Sequence, residues 1–177
     1  MISAQEFEKA KQFIYRHGRL LERKRFEFHF DGGSKEQVLA ALACYQNEDG
    51  GFGNGLELDV MCPMSTPICT EVGLALLLEF GAETSEIMNR AENWVIRSQN
   101  EMLDRFKSHC PLFFLSYGWS SDDIDMEVWE EAARVAIATL KDDGGVSGEE
   151  YSRLPWWRPV WTVDLLVTLK QRNLLNV

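Results

Sequence analysis

Apolar residues along this chain recur mostly at helical spacing, in blocks separated by glycine-rich or acidic breaks. Ser3 and Glu6 stand at capping-box spacing and open a first helix. Phe7, Ala10, Ile14, His17 and Leu21 carry one face of that helix to about residue 21. Arg25-Phe26-Glu27-Phe28-His29-Phe30 then alternates strictly, which predicts a short extended link with one aromatic face. Asp31-Gly32-Gly33-Ser34 breaks the chain and caps a helix over 35–46, which Asn47-Glu48-Asp49-Gly50-Gly51 stops. Ser65-Thr66-Pro67 begins the next, a cap with proline in the first turn, and Gly81 ends it. With Ile68, Val72, Leu74, Leu76, Leu77, Leu78 and Phe80, that helix is apolar nearly all round and is expected to be enclosed by others. From 85 to about 98 a single stripe (Ile87, Ala91, Trp94, Val95) predicts an outer helix with one wet face. Residues 99–119 show no period and are expected to be irregular. Ser120-Ser121-Asp122-Asp123 opens an amphipathic helix that Asp142-Asp143-Gly144-Gly145 ends, and Pro155 to Pro159 leads into a last, largely apolar helix.

Two of these breaks repeat one another. Ala-x-Ala precedes an Asp-Gly-Gly turn in both, and Pro67-Ile68-Cys69-Thr70 aligns with Pro159-Val160-Trp161-Thr162. The interval from the second glycine to the proline is 16 residues in one and 14 in the other, so punctuation and spacing agree together. Alternating amphipathic and apolar helices joined by such turns describe stacked helical hairpins. The expected fold is therefore all-α, a single domain over 1–177.

Charge narrows the range of partners. With 28 acidic and 18 basic residues the formal net charge is −10, a field that opposes nucleic-acid backbones and anionic membrane surfaces. No apolar run is long enough to span a bilayer, and the charged N-terminal stretch does not read as a signal peptide. Cys44, Cys62, Cys69 and Cys110 show no C-x-x-C spacing, which suits reduced thiols in a cytoplasmic protein.

Gln46-Asn47-Glu48-Asp49-Gly50-Gly51-Phe52-Gly53 resembles the Q-x-x-D-G-G-[FW]-G motif of the terpenoid cyclase and protein prenyltransferase superfamily. The stretch 20–80 and the C-terminal repeat are similar to prenyltransferase-like bacterial toroid proteins. The resemblance implies an α/α toroid of inner and outer helices around a cavity, here incomplete or shortened, because a full toroid needs about twice as many helices. A middle repeat begins at Trp94 to Asn100 but meets Glu101-Met102-Leu103 where the glycines should stand, and Val146 replaces the aromatic after the second turn. An incomplete ring would expose inner helices, which implies a homodimer or a partner protein covering them.

The resemblance also frames the candidate chemistry. The D-x-D-D motif of protonating cyclases is missing; Asp122-Asp123-Ile124-Asp125 is the nearest string and reads as first-turn acids complementing a helix dipole. Zinc in the prenyltransferases is held by Asp, Cys and His; Cys62, Cys69, His109 and Cys110 offer no diagnostic pair, so no cofactor is expected, with magnesium and zinc left open. Glu57 and Asp59, on the loop that would edge a toroid's mouth, are the candidate general acids, their plain alternative being solvated loop acids. Glu71 stands on an otherwise apolar helix and is a third candidate, or a buried acid with a structural partner. Tyr151, Trp157 and Trp161 would line an apolar pocket or simply pack the core, with Arg153 and Arg158 as nearby cations. Three functions follow: an apolar, isoprenoid-like ligand bound between inner helices, with turnover left open and, if the chain is an enzyme, a prenyltransferase- or cyclase-like transferase or isomerase; a non-catalytic self-association or protein-interaction module; or a carbohydrate-active toroid enzyme with paired acids.

Overall fold

The computed structural model describes residues 2–109, 134, 137–146 and 155–175, with side chains described only to 98 in the first stretch. Among the described residues the chain is all-helical, with no strand beyond isolated bridges. In order these helices are α1 (Ala4–His17), α2 (Leu20–Phe30), α3 (Lys35–Ala43), α4 (Pro67–Glu79), α5 (Glu86–His109), a 3-10 turn (Pro155–Trp157) and α6 (Arg158–Gln171).

The chain divides into two compact units. One comprises 1–38 and 121–177, the other 39–120, and the division falls inside α3. In the first unit α6 packs against α1 and α2. Its core joins Ala10 and Ile14 of α1, Phe26 of α2 and Val163, Leu166, Val167 and Leu169 of α6. The two ends of the chain meet there: Ile2 pairs in parallel with Leu175, and Ile2 is buried. In the second unit α4 packs against α5.

Predicted helix starts hold at the caps. Ser3 and Glu6 form a reciprocal capping box, and the Thr66 hydroxyl accepts the Cys69 N–H at 3.3 Å with Pro67 in the first turn of α4. Ser85 likewise accepts from Met88 N–H at 3.2 Å to open α5.

Several expectations are corrected. The alternating stretch 25–30 is not an extended link but the second half of α2. Phe26 and Phe30 lie one helical turn apart and stack at 5.0 Å, with Phe26 fully buried; six alternating residues also satisfy an i, i+4 aromatic pair. The Glu22 carboxylate accepts the Arg19 N–H at 2.8 Å at the start of this helix, so Leu21 belongs to α2, and α1 stops where the Gly18 N–H meets the Ile14 carbonyl at 2.8 Å. Helix α3 ends at Ala43, short of the expected 46, because Gln46 already pairs with Phe52 across the turn. Residues 99–109, expected to be irregular, continue α5 as helix; without glycines after Asn100 nothing breaks it. The rest of that stretch and most of the helix expected from 120 lie outside the described residues.

Helix α4 is not enclosed on all sides. Cys69, Thr70, Gly73 and Leu77 are buried along one face, while Ala75 is exposed and Leu78 is 57% exposed on the other.

Candidate functional site

Both Asp-Gly-Gly stretches fold into the same turn. Asn47 N–H donates to the Gly51 carbonyl at 2.9 Å and Gly50 N–H to the Asn47 carbonyl at 3.0 Å; Lys141, Gly144 and Gly145 repeat this at 3.1 and 2.8 Å. Gln46 pairs with Phe52, and Leu140 with Val146. Gly50 and Gly144 take φ of +95° and +86°, so glycine is needed at both. Each aspartate accepts from the second glycine's N–H, at 3.1 Å for Asp49 and 3.0 Å for Asp143. A threonine one helical turn into the following helix accepts the next N–H: Thr70 from Phe52 and Thr162 from Val146, both at 3.0 Å. The matching threonines of the two repeats thus tie each turn to its helix.

Each turn also seats on a second helix, an equivalence that the repeat of the turns alone does not show. A Cβ on Gly50 would strike the Arg90 carbonyl, and one on Gly51 would lie 2.6 Å from the Trp94 ring. For the other turn, Gly144 abuts the Lys9 carbonyl, and a Cβ on Gly145 would lie 2.5 Å from the Phe13 ring. So α1 is to the second turn what α5 is to the first, although it lies at the opposite end of the chain. The signal was available: Lys9-Ala10, Phe13-Ile14 and Arg16 match Arg90-Ala91, Trp94-Val95 and Arg97 at one constant offset. Ala10 and Ala91 are both fully buried.

The cations around the turns are committed to them. Arg90 donates to the Asn47 carbonyl at 2.7 Å, and Arg97 to that of Asp49. Arg158, a candidate ligand-binding cation, donates to Asp143 at 2.7 Å and to the carbonyls of Val146 and Gly145, and lies over the Phe13 ring at 4.6 Å. That guanidinium holds the Asp143 carboxyl below its usual range, against the opposing effect of burial, with the Gly145 N–H assisting. At Asp49 burial pushes upward, but hydrogen bonds from Ser65, Gly51 and Trp94 outweigh it and the carboxyl is again lowered.

The other candidates sit as follows. Glu57 is buried in the loop before α4; its carboxylate accepts the Asp59 N–H at 3.0 Å and its carbonyl the Val60 N–H at 3.1 Å. The Asp59 side chain is exposed. The two acids therefore share a loop but differ in burial. Glu71 is half-buried on α4 and makes no hydrogen bond or ion pair among the described residues. By helical geometry it lies opposite the buried Cys69, Gly73 and Leu77, on a stripe with Ile68, Val72, Ala75 and Leu78. Trp157 and Trp161 stack at 5.5 Å with 12° between planes, both half-buried. Cys69 is buried on α4 and Cys62 half-buried on the preceding loop; among the described residues no three His, Cys, Asp or Glu side chains gather as a metal would need. Tyr151, Arg153, Cys110, the His109 side chain and the acids at 122–125 lie outside the described residues.

No protein-family model matches this chain, and no curated protein or solved structure matches it.

Proposed function

We propose that this chain is a helical interaction module of the incomplete α/α toroid type, and that it binds another polypeptide through the open stripe of α4. The observation that carries the reading is the second apolar face of that helix. One side is buried, while on the opposite stripe of about three turns Ala75 and Leu78 are exposed and Ile68 and Val72 half-buried. Exposed Met61 (82%) and Met64 (71%) stand on the loop leading into the same helix. Large exposed apolar side chains near one another are the usual mark of an association surface, and methionine adapts to varied partners. The toroid reading draws support from the paired turns and from α1 serving the second as α5 serves the first.

A second reading, an apolar isoprenoid-like ligand, is favoured by the stacked Trp157 and Trp161, with Trp156 half-exposed beside them. Titration of the full chain separates the two. A synthetic amphipathic helix should bind saturably, and Leu78→Asp should abolish that binding. Saturable binding of a farnesyl diphosphate analogue with no binding of the helix would overturn the module reading in favour of the ligand.

A further inference from the structure

We infer that the partner of the α4 stripe is an amphipathic helix carrying a lysine or arginine on its apolar face, rather than a second copy of this chain. The inference rests on the interaction-module reading and adds the chemistry of the partner. Glu71 stands near the middle of the stripe, flanked by Ile68, Val72 and Ala75, half-buried and without a hydrogen bond or ion pair among the described residues. Helix α4 contains no lysine or arginine, so no neighbour one turn away on the helix itself neutralises it. Of the arginines in the same unit whose side chains are described, Arg90 and Arg97 are spent on the carbonyls of the first turn.

Any partner that covers the stripe removes water from that carboxylate. An apolar partner would leave it desolvated and unpaired, a costly arrangement. Pairing two α4 helices through the same stripe is worse, because each copy brings a Glu71 and neither brings a cation. A partner helix with one basic side chain opposite Glu71 turns the penalty into a charge-assisted contact. The stripe from Ile68 to Leu78 extends roughly 15 Å, the reach of a short helix laid along it. The formal net charge of −10 further favours a basic partner over an acidic one.

The test uses the full chain and three fluorescent helical peptides of about 18 residues, alike except for lysine, norleucine or glutamate at the centre of the apolar face. Fluorescence anisotropy should show the lysine peptide binding wild type about tenfold more tightly than the glutamate peptide. Glu71→Gln should flatten that preference, and Glu71→Lys should reverse it; circular dichroism checks that both variants fold. Equal binding of all three peptides, lost in Leu78→Asp, would overturn the basic partner while leaving the interaction module standing. Binding of none of them would overturn both. A concentration-dependent dimer in light scattering that Leu78→Asp dissolves would overturn the inference in favour of self-association.

Discussion

At the level of single residues, the Asp-Gly-Gly turns were the most legible feature of the chain. A positive φ at the first glycine is a property of residue type, so the sequence states it directly. Who touches that glycine is not stated, and it decides what a substitution does. Gly144 and Gly32 both have positive φ, but Gly144 abuts the α1 backbone at Lys9 while nothing lies within 4 Å of a Cβ on Gly32. Gly32→Ala is therefore expected to lose about 1 kcal/mol, the left-handed backbone cost alone, and Gly144→Ala more than about 3 kcal/mol, in urea unfolding. The aspartates carry a pH signature. Asp143 has its folded-state pKa lowered by Arg158, so in acid the unfolded chain binds more protons than the folded one. Its contribution is complete above the unfolded value of about 4 and fades as pH falls toward the folded value. Asp143→Asn should lower stability at neutral pH and make the loss below about pH 4 shallower than in wild type. An unchanged acid slope would show that the Arg158 contact has no such effect. The acids proposed for chemistry were less legible: a loop glutamate and a helical glutamate look alike in sequence, yet Glu57 is buried on its own loop and Glu71 stands on an open stripe.

At the level of elements, helix starts were readable because capping is local chemistry: Ser3, Thr66 and Ser85 each bond an N–H within three residues. Helix ends and periods were not. Six alternating residues at 25–30 suited a strand and an aromatic helix face equally, and the choice was made by tertiary packing of Phe26 among α1 and α6 residues. Glu27→Pro tests that assignment. In the helix interior it removes a backbone hydrogen bond and is expected to cost about 3 kcal/mol or more, whereas an extended link would tolerate it. The reach of α5 past Asn100 was missed for a related reason. The stretch shares Gln-Asn-Glu with the first turn, but only the absent glycines decide between turn and helix.

For the whole chain, the repeat was legible between the two turns and hidden between α1 and α5. Helices at opposite ends of a sequence invite no comparison until their shared role is visible, although Lys9-Ala10 and Phe13-Ile14 do match Arg90-Ala91 and Trp94-Val95. That equivalence makes the two units versions of one design, with α4 and α6 in matching roles. Amide hydrogen exchange by NMR, residue by residue, tests it most directly. Phe13→Ala should cut protection at Lys141, Gly145 and Val146 while leaving Asn47, Gly51 and Phe52 protected, and Trp94→Ala should do the reverse. Loss of protection at both turns in either variant, or at neither in both, would contradict the pairing of each turn with its own seating helix.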